Sequence, residues 1–186
     1  MIFVLDSAWP AQVSSPSIAC VRVNQRSAMP LLKSLAPQDG RQSDTALLVA
    51  RGTRRLLRRL NFSTVTELPL LTGRRADIVA LAMDATIFIV EIKSSVADFR
   101  ADTKWRDYRA HCDRLFFAIP DTVPIEVLPE DSGLILADAF GAEILRQAPE
   151  YRIAAATRRA MLVRFAQAAA QRLHRLSDPE VVAGGG

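Results

Sequence analysis

Asp77, Glu91 and Lys93 interrupt the strongly apolar stretch RADIVALAMDATIFIVEIK, residues 75–93. Strand side chains alternate between faces, so Glu91 and Lys93 point the same way, together with Ile87 and Ile89. Asp77 lies seven residues before Asp84 and Glu91 seven after it, so a hairpin folded at Asp84 sets the two acids opposite one another. A three-residue loop or a bulge gives this register; a strict two-residue turn would set Asp77 against Ile92, on the wrong face. In the first arrangement two carboxylates and an ammonium share the edge of an apolar surface, where charge is costly unless it pairs or binds an ion. Hard oxygen ligands with open coordination positions suit Mg²⁺ or Mn²⁺. Such a metal polarises a scissile phosphate and supplies hydroxide from bound water. Lys93 would then hold the nucleophile or neutralise developing charge. The same spacing also allows a plain Asp77–Lys93–Glu91 ion-pair cluster without metal, because E-x-K is a common tripeptide.

The elements that must position these groups follow from periodicity. Residues 43–60 predict a helix, with Leu47, Ala50, Arg54 and Leu57 near a 3.6 repeat and Ser43 or Asp44 as the cap. Arg51, Arg54, Arg55, Arg58 and Arg59 load this helix with positive charge towards its C-terminus, which the macrodipole alone would favour. The sharper expectation is that Arg55 and Arg59 face phosphate. Three strands follow at 63–70, 75–82 and 86–93, the last two joined by a tight connection at 83–85. Ser94 and Ser95 then cap a helix expected over 96–111, on which Lys104 and Tyr108 share a face. Residues 114–119 form a short buried strand, and Pro120, Pro124 and Pro129 frame a single helical turn. Residues 133–137 and 142–145 read as a small β pair turning at Phe140–Gly141. A long amphipathic helix is expected over 150–176, with Ile153, Leu162, Phe165, Ala169, Leu173 and Leu176 taken as core packing. The class is α/β.

Length and composition bound the rest. The chain has 186 residues, 49% hydrophobic and 24% charged, enough for one domain with a sizeable core. Prolines and serines crowd residues 1–40, which are expected to stay loose; the domain is placed at 41–176 and a flexible tail at 177–186. The apolar run at 78–83 is far too short to span a membrane. The opening MIFVLD lacks a basic start, which argues against a secretory signal. Cys20 and Cys112 build no disulfide framework, so a reducing, cytoplasmic setting is the default, and with His111 and His174 they form no zinc spacing. The net charge of +4 leans towards an anionic partner. Only Lys33, Lys93 and Lys104 of the 24 basic residues are lysines.

The pattern D-x13-E-x-K on a hairpin, between an arginine-rich helix and a second helix, resembles the PD-(D/E)XK nuclease superfamily. More closely, IFIVEIKSSVADFRADTKWRDYRAHCDRLFFAIP and LPEDSGLILADAFGAEILR are similar to the MmcB-type DNA repair endonucleases, over roughly residues 43–176. The resemblance implies a restriction-endonuclease-like core: helix, three-strand meander, helix, strand. It implies that Asp77, Glu91 and the Ile92 carbonyl bind Mg²⁺ or Mn²⁺ and that Lys93 is catalytic. It implies DNA as the partner, with cleavage of phosphodiesters in repair. The Lys104–Tyr108 spacing is similar to the Q-x-x-x-Y element of RecB-like nucleases, with lysine for glutamine, which makes both candidate DNA contacts. Ala76 stands where the motif has proline. Some branches use a glutamate on the first helix; this helix offers only Asp44, and Glu67 is a substitute, although a solvated strand acid is the plainer expectation for it. The rival is a non-enzymatic module of the same fold that holds DNA or a repair protein.

Overall fold

The computed structural model describes residues 43–178. The expectations for residues 1–40, and for the tail beyond Asp178, lie outside the described residues. The described chain runs α1 (Asp44–Arg59), β1 (Ser63–Pro69), β2 (Arg75–Leu81), β3 (Ile87–Ile92), α2 (Val96–Ala101), a 3₁₀ segment (Trp105–His111), β4 (Arg114–Ile119), a 3₁₀ turn (Ile125–Val127), β5 (Gly133–Ala137), β6 (Ala142–Arg146) and α3 (Ala155–Ser177). The six strands form one mixed sheet in sequence order. β3, β4 and β5 pair in parallel, and the outer pairings are antiparallel. The expected β pair is therefore an extension of the sheet, because β5 continues the parallel ladder of β4.

Both faces of the sheet are covered, as a central parallel region requires. Phe88, Val90, Ile92, Phe116 and Ala118 pack towards α1 with Leu56, Leu57 and Phe62. Ile87, Ile89, Leu115, Phe117 and Ile119 pack on the other face with Trp105, Tyr108, Met161 and Phe165. All six residues of β3 are buried, so its polar member, Glu91, sits inside the protein.

α1 starts where Ser43 Oγ accepts the Ala46 N–H at 3.2 Å. It ends in a Schellman arrangement: Phe62 N–H donates to Leu57 O, Asn61 N–H donates to Arg58 O, and Asn61 sits at φ 62°. Gly52 lets α1 lie against the β5–β6 turn. A Cβ there would fall 2.1 Å from Asp138 O and 2.3 Å from Gly141 O. Alanine gains roughly 1 kcal/mol of helix propensity over glycine, but forcing the helix off the turn costs about 1–3 kcal/mol. Gly52→Ala is therefore expected to lower the urea midpoint, and a raised midpoint would count against this packing argument.

The β2–β3 turn is a three-residue loop. Ala82 pairs with Thr86, Ala85 N–H donates to Ala82 O, and Ala85 adopts φ 66°. Arg158 of α3 rivets this turn to the core. Its guanidinium bonds Ala85 O at 2.7 Å and both oxygens of Asp113 at 2.7 Å, while Asp113 Oδ2 accepts the Ile87 N–H.

Two helices differ from the sequence reading. The helix expected over 96–111 stops at Ala101 and resumes as 3₁₀ at Trp105. Asp102 takes the break: Oδ1 accepts the Lys104 N–H at 3.1 Å, an Asx-type turn, and Oδ2 takes Lys93 Nζ at 2.7 Å. The last helix begins at Ala155, not 150, because Tyr151 N–H donates to Asp113 O and Arg114 pairs with Glu150, holding that stretch extended. Within α3 only Met161 and Phe165 are buried; Leu173 and Leu176 are exposed rather than core. A 23-residue helix spans about 34 Å, whereas seven residues of β1 span about 24 Å.

Candidate active site

The three-residue loop sets the register. Ile78 faces Val90 and Leu81 faces Ile87, so Asp77 comes opposite Glu91 just beyond the last ladder pair. There the acids replace the ladder: Asp77 N–H donates to Glu91 Oε1 at 3.3 Å, and Ile92 N–H donates to Asp77 Oδ2 at 2.8 Å. Each strand's acid holds the other strand's amide. Lys93 follows on the same face, its own N–H bonded to Ala118 O of β4.

Burial dominates the electrostatics. Asp77 is pushed up from 3.8 to about 6, chiefly by burial and further by Glu67; the Ile92 N–H and Lys93 work against the rise. Glu91 is raised well above the usual carboxylate range, by burial first and by Asp77 second. Burial also opposes the charge on Lys93, but its bond to Asp102 and the charges of Glu91, Asp102 and Asp77 outweigh it, and the ammonium is raised. Lys93 is 5% exposed and is held by Asp102, not by either member of the acidic pair. Asp102 was missed in the sequence because the surrounding periodicity reads as unbroken helix; its only signal is an aspartate two residues before a 3₁₀ start.

Glu67 is not a solvated strand acid. It is 8% exposed, lies at φ 49°, pairs with Arg75, and sits on β1 between Thr66 (opposite Ile78) and Leu68 (opposite Ala76). Glu67, Asp77 and Glu91 thus form a row across three neighbouring strands. Tyr108 reaches the same end of the sheet, its hydroxyl donating to Arg75 O at 3.2 Å. Burial, then Glu91 and Asp77, raise its phenol. Lys104 does not share a helical face with it: Lys104 is the exposed N-cap of the 3₁₀ segment, whose tighter turn carries Tyr108 inward. Trp105 is core, edge-on to Phe117. His111 is buried away from the acids, its basicity lowered by burial and by Arg164.

Arg55 and Arg59 lie elsewhere. Arg55 Nη1 donates to Ala139 O and Phe140 O, and Arg59 Nη2 to Ala142 O, so both clamp the β5–β6 turn. α1 packs on the face of Ile78 and Val90, opposite to the face of Asp77 and Glu91. The phosphate-facing expectation for these two arginines does not fit that placement.

Among the described residues no group of three or more His, Cys, Asp and Glu is arranged to hold a metal ion. Within the acidic row the donor set is the facing pair Asp77 and Glu91, whose Oδ1 and Oε2 remain beyond the bonds just described. Mg²⁺ is commonly held by one or two carboxylates with water and phosphate completing its shell. Two buried acids, Glu91 raised by burial and by Asp77 and Asp77 raised by burial and by Glu67, also form a pair that a dication would relieve. The residues fit such an ion.

A family model described as DNA repair protein MmcB-like matches residues 33–180. The chain belongs to the MmcB-like family of DNA repair proteins. A solved structure similar to it is a protein of unknown function from Silicibacter pomeroyi, SPO1766, with 44% identity and a TM-score of 0.72, covering 78% of this chain and 97% of that one. This MmcB-like chain and SPO1766 share the α/β fold. No curated protein matches the chain. Among the described residues no helix of this family member is long and apolar enough to cross a membrane.

Proposed function

We propose that this MmcB-like protein is a divalent-metal-dependent DNA endonuclease of the PD-(D/E)XK type, acting in repair. The observation that carries the reading is the hairpin register, which puts Asp77 against Glu91 and sends Lys93 out on the same face. Asp77, Glu91 and the Ile92 carbonyl would hold Mg²⁺ or Mn²⁺, which when bound supplies Lewis acidity and a water of lowered pKa. The chain's own groups do the rest. Lys93, fixed by Asp102, presents an ammonium where negative charge grows on the phosphate. The apolar walls from Ile89, Phe117 and Trp105 keep the acids and lysine in a poorly solvated setting, where that charge counts for more. Tyr108, anchored to Arg75 O, borders the site and can orient a neighbouring phosphate or sugar. Exposed Lys104 is left as an outer phosphate contact.

The test is nicking of duplex, flapped, nicked and single-stranded DNA by the full chain in Mg²⁺, in Mn²⁺ and in EDTA. Strand cleavage that needs the metal is expected on at least one substrate. Binding indifferent to metal, with no cleavage of any DNA, would put the non-enzymatic module in its place, and cleavage confined to RNA would change the substrate.

A further inference from the structure

Several arginines meet at the β1 edge of the sheet. α3 runs along β1, and its arginines reach onto that strand's edge: Arg164 Nη1 donates to Pro69 O at 3.2 Å. Arg172 Nη1 donates to Thr66 Oγ1 at 3.2 Å and its Nη2 to Thr66 O. Arg175 follows one helical turn after Arg172, on a neighbouring position. α1 also packs on β1, and Arg54 lies on a different flank of that helix from the Arg55–Arg59 clamp, within electrostatic reach of Arg172. The group is crowded with like charge: burial, then Arg175 and Arg54, depress the basicity of Arg172, and only Glu67 offsets them. Arg54, Arg172 and Arg175 make no ion pair among the described residues.

We propose that Arg54, Arg172 and Arg175 form a phosphate-binding saddle over the β1 edge, which leads duplex DNA to the Asp77–Glu91 site. The register sets the span. Thr66, which anchors Arg172, pairs with Ile78, the neighbour of Asp77, and Ile78 pairs with Val90, the neighbour of Glu91. Two strand spacings of about 4.8 Å separate the β1 edge from β3. That is on the order of three nucleotides along a duplex at about 3.4 Å each, so one DNA strand can touch saddle and acids together. Guanidinium forks suit phosphate oxygens, and a polyanion removes the repulsion that the three arginines impose on one another. The plainer role, capping the carbonyls of an edge strand, accounts for Arg164 and Arg172. It leaves out Arg54 and Arg175, which are exposed and make no such bond among the described residues.

The inference rests on the reading of the chain as a DNA-processing protein, but its test needs no cleavage. Binding of the full chain to a fluorescent duplex is measured by anisotropy in Ca²⁺ over a range of salt. Arg54→Gln/Arg175→Gln is expected to weaken binding tenfold or more and to flatten the log–log salt slope by about 2, near 0.9 for each lost phosphate contact. Arg55→Gln/Arg59→Gln is expected to leave the slope in place, and thermal melts of both variants serve as the fold control. An unchanged slope in the first variant overturns the saddle, as does an equal loss in both, which would mean diffuse attraction. A wild type that does not bind DNA overturns it too. A wild type that binds through these arginines and never cleaves sinks the nuclease and leaves the saddle standing.

Discussion

Asp77→Asn is expected to abolish metal-dependent cleavage and, in EDTA at pH 8, to raise the melting temperature. The gain comes from burial. The folded protein holds the Asp77 proton more tightly than the unfolded chain does, with the group moved from 3.8 to about 6. An acid whose folded value is raised loses stability as pH climbs through the interval between the two values, and the penalty is complete above the upper one. The wild type should therefore melt lower at pH 8 than at pH 5 if this group dominates, and the Asn variant should lack that part of the slope. A rise of about two units corresponds to roughly 3 kcal/mol at most. The amide remains an acceptor for the Ile92 N–H, although a weaker one than a carboxylate, which takes back about 1 kcal/mol. The net gain is a few degrees for a domain of this size. Mg²⁺ should reverse the order, stabilising the wild type and leaving the variant unmoved. A variant that melts below the wild type in EDTA at pH 8 would show that the pair is a stabilising ion cluster and not a strained, metal-seeking one.

The same residues show how much of the site was legible in the sequence. The spacing of the acids about Asp84 allowed Asp77 to face Glu91 but left the alternative register open, and the three-residue loop at 83–85 is what selects it. The start of α1 was readable as far as Ser43 or Asp44, and the cap is Ser43. What the sequence concealed was tertiary competition. Residues 96–111 keep a helical rhythm, yet Asp102 leaves the helix because Lys93 needs a partner and the Lys104 N–H needs an acceptor. Losing the helix moved Tyr108 onto Arg75 O and left Lys104 outside. Glu67 went the same way: a lone acid in a β-branched strand looks solvated, but a positive φ and the Arg75 pairing turn it inward beside Asp77. The arginines of α1 could not be assigned a face without the sheet. Once it is present, Arg55 and Arg59 face the β5–β6 turn, and Arg54 comes within electrostatic reach of Arg172.

Lys93→Ala should be the most damaging change to turnover. Lys93 is the buried cation of the acidic row, and the raised basicity imposed by Asp102 and the acids keeps it charged across the whole working pH range. If it meets charge that develops only in the transition state, its loss lowers kcat by a factor on the order of 100–1,000, as removal of a single well-placed donor does. KM should change little. Truncation also strands the Asp102 carboxylate, so part of any loss could be structural. Lys93→Met keeps an unbranched apolar stem in this buried position and separates the two effects. If both variants lose turnover alike while only the alanine melts lower, the ammonium acts on the phosphate. DNA affinity in Ca²⁺ should survive either Lys93 change better than Asp77→Asn, since Lys93 does not hold the ion. Turnover within tenfold of wild type in Lys93→Met would remove the lysine from the reaction and reduce its bond to Asp102 to the structural one that ends α2.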